Sequence, residues 1–300
     1  MALSGVIATI GMFDGVHRGH IHLLQQLRRQ GASRSLAPVA VTFESHPLRV
    51  IAPERAPRVL MSLPERVEAL RRLGVDTVVL DFAAVRRLTA ADFMRLLAAD
   101  YGVKALLMGF NHNFGSDRLS AFDDYRRAGE TAHVEVLQCT EVEGLRVSSS
   151  MVRRAVAAGD MAQARVMLGR YYSISGTVVS GQHLGRTINF PTANMAPDVA
   201  EQLLPADGVY ACIATVEGYD TPLTAMTNIG CRPTVATHGE RTIEAHIIGL
   251  DADIYGRHLR LAFVERLRGE MQFADMAALQ QQLTLDREAT LRVITAASAT

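Results

Sequence analysis

The stretch Gly11-Met12-Phe13-Asp14-Gly15-Val16-His17-Arg18-Gly19-His20 decides how the chain is read. An apolar run at 6–10 leads into it. Ile21, Leu24 and Leu27 follow at helical spacing. The stretch therefore reads as the turn between a buried strand and an amphipathic helix. His17 and His20 stand three residues apart at the mouth of that helix, flanked by Gly15 and Gly19. Glycines let the main chain come close to a phosphate, and a helix N-terminus offers free N–H donors and a positive dipole end. Two imidazoles beside it can donate to phosphate oxygens and stabilise charge that builds there. The H-x-G-H spacing directly after a first strand favours this reading over a turn with two surface histidines. As a metal site the pair is incomplete, because no carboxylate cluster or third ligand accompanies it.

Outward from this turn the pattern alternates. Strand-like runs at 38–43, 76–82, 104–108 and 133–138 are interleaved with helical patterns at 62–73 and 89–99. The 62–73 helix opens on Ser62, carries Glu65 three residues on and stops at Gly74, as a capping box and a glycine C-cap would have it. Apolar strands alternating with amphipathic helices predict an α/β half with a doubly wound parallel sheet. Such sheets bind ligands beyond the carboxyl ends of their strands, where 11–20 falls. Two short helices, 148–158 and 160–168, precede a change of texture at Gly169. Beyond it, 171–180, 208–216, 221–229, 241–248 and 257–267 read as β-branched or aromatic strands, and 274–297 as a closing amphipathic helix. The expected domains are 1–170 (α/β) and 171–300 (β).

The chain has 300 residues, 48% hydrophobic, with 31 basic and 31 acidic residues and no net charge. That balance argues against a large nucleic-acid or membrane footprint and leaves room for a local basic groove. All but one of the basic residues are arginine; the exception, Lys104, sits in Tyr-Gly-Val-Lys-Ala. A Walker loop needs G-K-[ST], so phosphates must be handled by backbone N–H groups, Arg, His and metal. Cys139, Cys212 and Cys231 are far apart and form no C-x-x-C pair, which points to a reducing compartment without disulfides or a zinc site. No apolar run reaches the ~20 residues of a membrane span, and the N-terminus lacks the basic flank of a signal peptide. A cytoplasmic protein is expected, a monomer or weak homo-oligomer.

A second stretch, Gly185-Arg186-Thr187-Ile188-Asn189-Phe190-Pro191-Thr192-Ala193-Asn194, lies in the strand-rich half. Pro191 fixes the backbone direction, Thr192 offers a hydroxyl and Asn194 a carbonyl oxygen. Mg²⁺ takes hard oxygen ligands and keeps several waters, so such donors plus substrate phosphates form a plausible set.

The first stretch resembles the G-x-F-D-G-x-H-x-G-H signature of the nucleotidyltransferase half of bacterial bifunctional riboflavin kinase/FMN adenylyltransferases. Further pieces follow in family order. Thr42-Phe43-Glu44-Ser45-His46-Pro47 is similar to T-F-x-P-H-P, with Ser45 for the first proline. Gly109-Phe110-Asn111-His112-Asn113-Phe114-Gly115 is similar to G-x-[DN]-x-x-F-G. Val147-Ser148-Ser149-Ser150-Met151-Val152-Arg153 resembles I-S-S-T-x-I-R, with Met151 where a basic residue is common. The second stretch resembles the riboflavin kinase G-x5-P-T-A-N. Asn228-Ile229-Gly230-Cys231-Arg232-Pro233-Thr234, Glu244-Ala245-His246-Ile247 and Arg268-Gly269-Glu270-Met271-Gln272-Phe273 follow, with Gly269 where proline is frequent.

The resemblance implies a Rossmann-like nucleotidyltransferase domain and a six-stranded antiparallel β-barrel with a closing helix. It implies phosphorylation of riboflavin to FMN, then adenylylation of FMN by ATP to FAD with release of pyrophosphate, using Mg²⁺. His17, His20 and Asn111 would act in adenylyl transfer. Gly11, Phe13, Asp14, Gly15, Gly19, Ser149, Ser150 and Arg153 would line that ATP site. In the kinase half, Gly185, Pro191, Thr192 and Asn194 would hold ATP, with Thr192 and Asn194 on Mg²⁺. Asn228, Arg232, Pro233 and Thr234 would contact flavin, and Glu244 would be the base.

Overall fold

The computed structural model describes residues 5–109, 113–140, 144, 146–180, 190–231 and 241–298. By packing the chain divides into two units, Met1–Arg58 with Leu63–Ser148, and Val59–Ser62 with Ser149–Thr300. The break therefore falls at 148/149, earlier than the change of texture at 169 in the sequence. The two helices of 149–168 are polar enough outside to read as part of the α/β pattern, yet they pack against each other and the second against barrel strands.

The first unit runs β1 (Val6–Ile10), α1 (Arg18–Arg34), β2 (Ala37–Phe43), α2 (Pro47–Ile51), α3 (Leu63–Arg72), β3 (Asp76–Leu80), α4 (Phe82–Val85), α5 (Ala90–Tyr101), β4 (Val103–Met108), α6 (Phe122–Ala132) and β5 (Glu135–Gln138). Its strands pair in parallel in the order β3-β2-β1-β4-β5. This is the expected doubly wound sheet. β1 is central and the order reverses beside it, so the turn leaving β1 emerges at the switch point where such sheets take ligands. Strand β1 is buried on both faces, as a parallel central strand must be.

Local signals act where the sequence places them. Gly74 ends α3 in the left-handed region, with the Val75 N–H reaching back to the Leu70 carbonyl. Thr89 caps α5 by accepting from the Asp92 N–H. Helix α6 has no counterpart in the sequence reading. Its core face is Tyr125, Gly129 and Ala132, a single large side chain and two small residues, which make no apolar stripe. The close packing forbids anything larger, since a Cβ on Gly129 would lie 2.5 Å from the Val134 carbonyl oxygen.

The second unit opens with α7 (Ser149–Ala158) and α8 (Met161–Leu168). β6 (Tyr172–Val179), β7 (Ala193–Pro197), β8 (Gly208–Val216), β9 (Leu223–Cys231), β10 (Arg241–Ile247) and β11 (His258–Arg268) follow, and α9 (Met276–Ser298) closes the unit. The strands form a closed antiparallel barrel in the order β10-β7-β6-β11-β8-β9. Its interior is filled by Ile174, Tyr210, Ala245, Leu261 and Phe263 among others, all essentially inaccessible. Strand β7 is not among the runs read as strands in the sequence; it begins inside the Pro-Thr-Ala-Asn stretch and pairs with β6 and β10.

Helix α9 covers the outer face of β8, β9 and β11. Arg268 at the end of β11 grips Asp286 of α9 through Nε and Nη2, at 2.7–3.1 Å, with Asp286 only 5% exposed. Gln282 donates to the same carboxylate. Asp286→Ala would leave the guanidinium buried without its counter-charge. It should cost about 3–5 kcal/mol in urea unfolding; a loss below about 1 kcal/mol would reduce this pair to the value of a surface one.

Candidate functional site

The turn leaving β1 is built from unusual backbone. Phe13 (φ 47°), Gly15 (φ 81°) and Val16 (φ 37°) all occupy the left-handed region. For a β-branched residue such as Val16 this is a genuine outlier. The Val16 N–H closes the turn on the Phe13 carbonyl at 3.0 Å, and Gly11 N–H bonds the Val41 carbonyl of β2. The Phe13 ring folds back over Gly11, where a Cβ would sit 3.1 Å from its Cζ.

His17 is the N-cap of α1, with its Nδ1 accepting from the His20 N–H at 3.3 Å. A neutral ring that accepts at Nδ1 carries its proton on Nε2, the other nitrogen, as a donor. The His17 and His20 rings stack at 3.6 Å, and Phe13 meets His20 edge-on at 5.2 Å. Gly19 is explained by this stack: a Cβ there would lie 3.2 Å from the His17 ring and 3.3 Å from the Val147 carbonyl. The glycine of H-x-G-H makes room first of all for the capping histidine.

Asp14 is buried beneath the turn, and so is a residue that the sequence reading missed. Arg66 of α3 is 3% exposed. Its Nη1 donates to the Met12 carbonyl at 2.9 Å and its Nη2 to the Phe43 carbonyl at 2.6 Å. Burial pushes its pKa down, and the nearby Asp14 charge pulls it back up. An arginine in a Leu-Pro-Glu-Arg-Val helix looks like surface charge; only the periodicity with Leu70 on the buried face hints otherwise. His46, in the stretch after β2, caps α2 by accepting from the Leu48 N–H.

Ser149 and Ser150 open α7 and Arg153 follows one turn on, in the second unit by packing. Asn111, Gly185, Arg232, Pro233 and Thr234 lie outside the described residues.

In the barrel, Glu244 of β10 stands directly opposite Asn194 of β7 on one side and Asn228 of β9 on the other. Residues opposite one another in antiparallel pairs share a face, so the three form a row, Asn194-Glu244-Asn228, on the outer side of the barrel wall. Ile243 and Ala245 point the other way into the core. The Glu270 carboxylate lies against Gly230, two residues beyond Asn228. A small cleft open to solvent is lined by Val178, Pro191, Thr192, Ala193, Ala245, Ile247, Leu250, Asp253 and Tyr255; Ala193 and Ala245 alternate with Asn194 and Glu244, so none of the row lines it. It combines an apolar wall with two hydroxyl side chains, Thr192 and Tyr255, and one carboxylate, Asp253. No group of three His, Cys, Asp or Glu that could hold a metal occurs among the described residues.

A parallel sheet with an H-x-G-H turn at its switch point puts the first unit in the nucleotidyltransferase class. Known proteins agree with it and extend it. A family model described as FAD synthetase matches residues 1–151, and one described as riboflavin kinase matches 168–294. A bifunctional riboflavin kinase/FMN adenylyltransferase of Pseudomonas fluorescens is 39% identical over 300 residues, covering 98% of this chain and 94% of the relative. The protein of the same description from Escherichia coli K12 is 40% identical over 290 residues, covering 94% and 90%. A crystal structure described as a macrolide-efflux protein from Streptococcus pneumoniae superposes with a TM-score of 0.86 at 29% identity, covering 96% and 94%. The efflux description belongs to that protein; among the described residues of this chain no helix is long and apolar enough to cross a membrane. The chain belongs to the bifunctional riboflavin kinase/FMN adenylyltransferase family.

One titration bears on the barrel site. His246 on β10 is buried against Phe190, and its Nδ1 pairs with the Pro191 carbonyl at 2.8 Å. Burial holds its pKa below the ordinary value; the Pro191 bond opposes this, and Arg287 adds to it. Above pH ~6.5 folded and unfolded rings are both neutral. Below it the unfolded chain takes up a proton that the folded one resists, so stability falls as pH drops. Urea unfolding at pH 7.5 and 5.5 should show this loss, reduced in His246→Gln. An identical loss in the two proteins would remove His246 from the account.

Proposed function

We propose that this chain makes FMN from riboflavin at the barrel site and FAD from FMN at the β1 turn, each with ATP. The observation that carries the reading is the strand register that sets Asn194, Glu244 and Asn228 in one row, in a chain that also has the capped His17–His20 pair.

In the kinase step the ribityl 5′-hydroxyl attacks the γ-phosphorus of ATP. Its proton passes to the Glu244 carboxylate, and the bond to the ADP oxygen breaks. A carboxylate can serve as this base where it reaches the hydroxyl. Asn228 sits across the strand from Glu244 and is suited to hold the ribityl chain, with Arg232, Pro233 and Thr234 completing the flavin contacts. Gly185, Pro191, Thr192 and Asn194 are assigned to the nucleotide, with Pro191 and Thr192 lining the cleft. Thr192 and Asn194 offer oxygens of the hard kind that Mg²⁺ prefers, with ATP phosphates and water filling the other positions. When bound, the ion would neutralise phosphate charge.

In the adenylyl step an FMN phosphate oxygen attacks the α-phosphorus and pyrophosphate leaves. No protein nucleophile is required, so catalysis is positioning plus charge stabilisation. Gly11, Phe13, Asp14, Gly15 and Gly19 shape the turn that receives the triphosphate. His17 donates from Nε2, His20 stacks beside it, and Asn111, Ser149, Ser150 and Arg153 are assigned to the reacting phosphates. The divide between the two activities is taken at about residue 170. The three cysteines are free, in keeping with a cytoplasmic protein; we read it as working on small molecules without nucleic acid or membrane, as a monomer or weak homo-oligomer.

Two substitutions separate the sites. With riboflavin and Mg-ATP, Glu244→Gln should lower FMN formation at least about a hundredfold, while FMN supplied directly is still converted to FAD. His20→Gln should do the reverse, lowering FAD formation by about 10²–10³ with FMN formation intact. Undiminished FMN production by Glu244→Gln would refute the assignment of the base.

A further inference from the structure

Arg66 has no part in the chemistry above, yet it is the most completely buried cation among the charged residues of the described core. Its fork spans two loops. One nitrogen holds the carbonyl of Met12, where β1 gives way to the left-handed turn. The other holds the carbonyl of Phe43, the last residue of β2. The Met12 carbonyl also accepts from the Thr42 hydroxyl at 3.4 Å. The next peptide after Met12 begins the run Phe13, Gly15, Val16 with positive φ. Backbone in such regions persists only where its surroundings over-determine it. The Nε of Arg66 is buried too, with no acceptor among the described residues. Burying a guanidinium this way to bond main-chain carbonyls is expensive, and a scaffold could be built from apolar packing instead.

We propose that Arg66 is a positioning residue for adenylyl transfer. Its two-pronged hold on Met12 and Phe43 fixes the β1 turn in the conformation that sets His17 and His20 against the triphosphate. The inference rests on the reading of 11–20 as the adenylylation site. The planar fork is essential to it: a lysine keeps the charge, but its three donors leave one atom, so it lacks the two separate nitrogens that meet the Met12 and Phe43 carbonyls. Because the effect is on the alignment of transition-state contacts, it appears in the chemical step more than in ATP binding.

The test uses the full chain with Arg66→Lys and Arg66→Met, measuring single-turnover conversion of FMN to FAD with enzyme and ATP in excess. The rate constant of a single turnover does not depend on what fraction of the enzyme is folded. Both variants should lose at least tenfold in that constant, with KM for ATP changed less than threefold and riboflavin phosphorylation unaltered. If Arg66→Met does not fold, Arg66→Lys alone carries the comparison. A lowered melting temperature with an unchanged single-turnover constant would make Arg66 a scaffold residue only. Full activity in Arg66→Lys would assign the effect to charge and overturn the clasp. No FAD from the unsubstituted chain would overturn the site reading itself, and the role of Arg66 with it.

Discussion

The turn between β1 and α1 has to hold a conformation that its own residues disfavour. Phe13 and Val16 sit at positive φ, each at a cost of about 1–3 kcal/mol. What opposes that cost is local and specific. The His17 ring caps the helix, the Phe13 ring covers Gly11, and the Arg66 fork ties the turn to the end of β2. The first two are local to the turn, while the Arg66 fork needs the parallel order β3-β2-β1-β4-β5, which sets β1 and β2 side by side. The sheet is the means by which a strained, histidine-bearing turn is held at the switch point.

The barrel solves a different problem with the opposite economy. Its site depends on register rather than strain. Antiparallel pairing of β7, β10 and β9 sets Asn194, Glu244 and Asn228 in line without an unusual dihedral in any of them. A shift of one residue in β10 would turn Glu244 into the core and Ile243 outward. The Arg268–Asp286 pair fastens α9 over the neighbouring strands β8, β9 and β11.

Much of this was legible in the chain. The first turn, its histidines and the alternating half follow from strand-like runs, helical spacing and glycines. The single lysine directs attention to histidine, backbone and hydroxyl groups, and Lys104 itself is exposed on β4. The parts that escaped did so for physical reasons. Helix α6 buries a glycine and an alanine, which carry no apolar signal. Strand β7 follows a proline and exists through its neighbours. The break at 148/149 reflects which surface α7 and α8 pack on, and composition does not encode that. Arg66 reads as a surface arginine because its partners are main-chain carbonyls, which no pattern of side chains reveals. Gly19 was legible as a needed glycine, but the reason for it, space for the His17 ring, comes from the stack.

The central claim is that one chain carries both activities in sequence. Purified protein given riboflavin and Mg-ATP, followed by chromatography over time, tests it most directly. FMN should rise first and then decline as FAD accumulates, with one pyrophosphate released per FAD. FMN that accumulates without FAD, or riboflavin left unchanged while supplied FMN is adenylylated, would contradict the account.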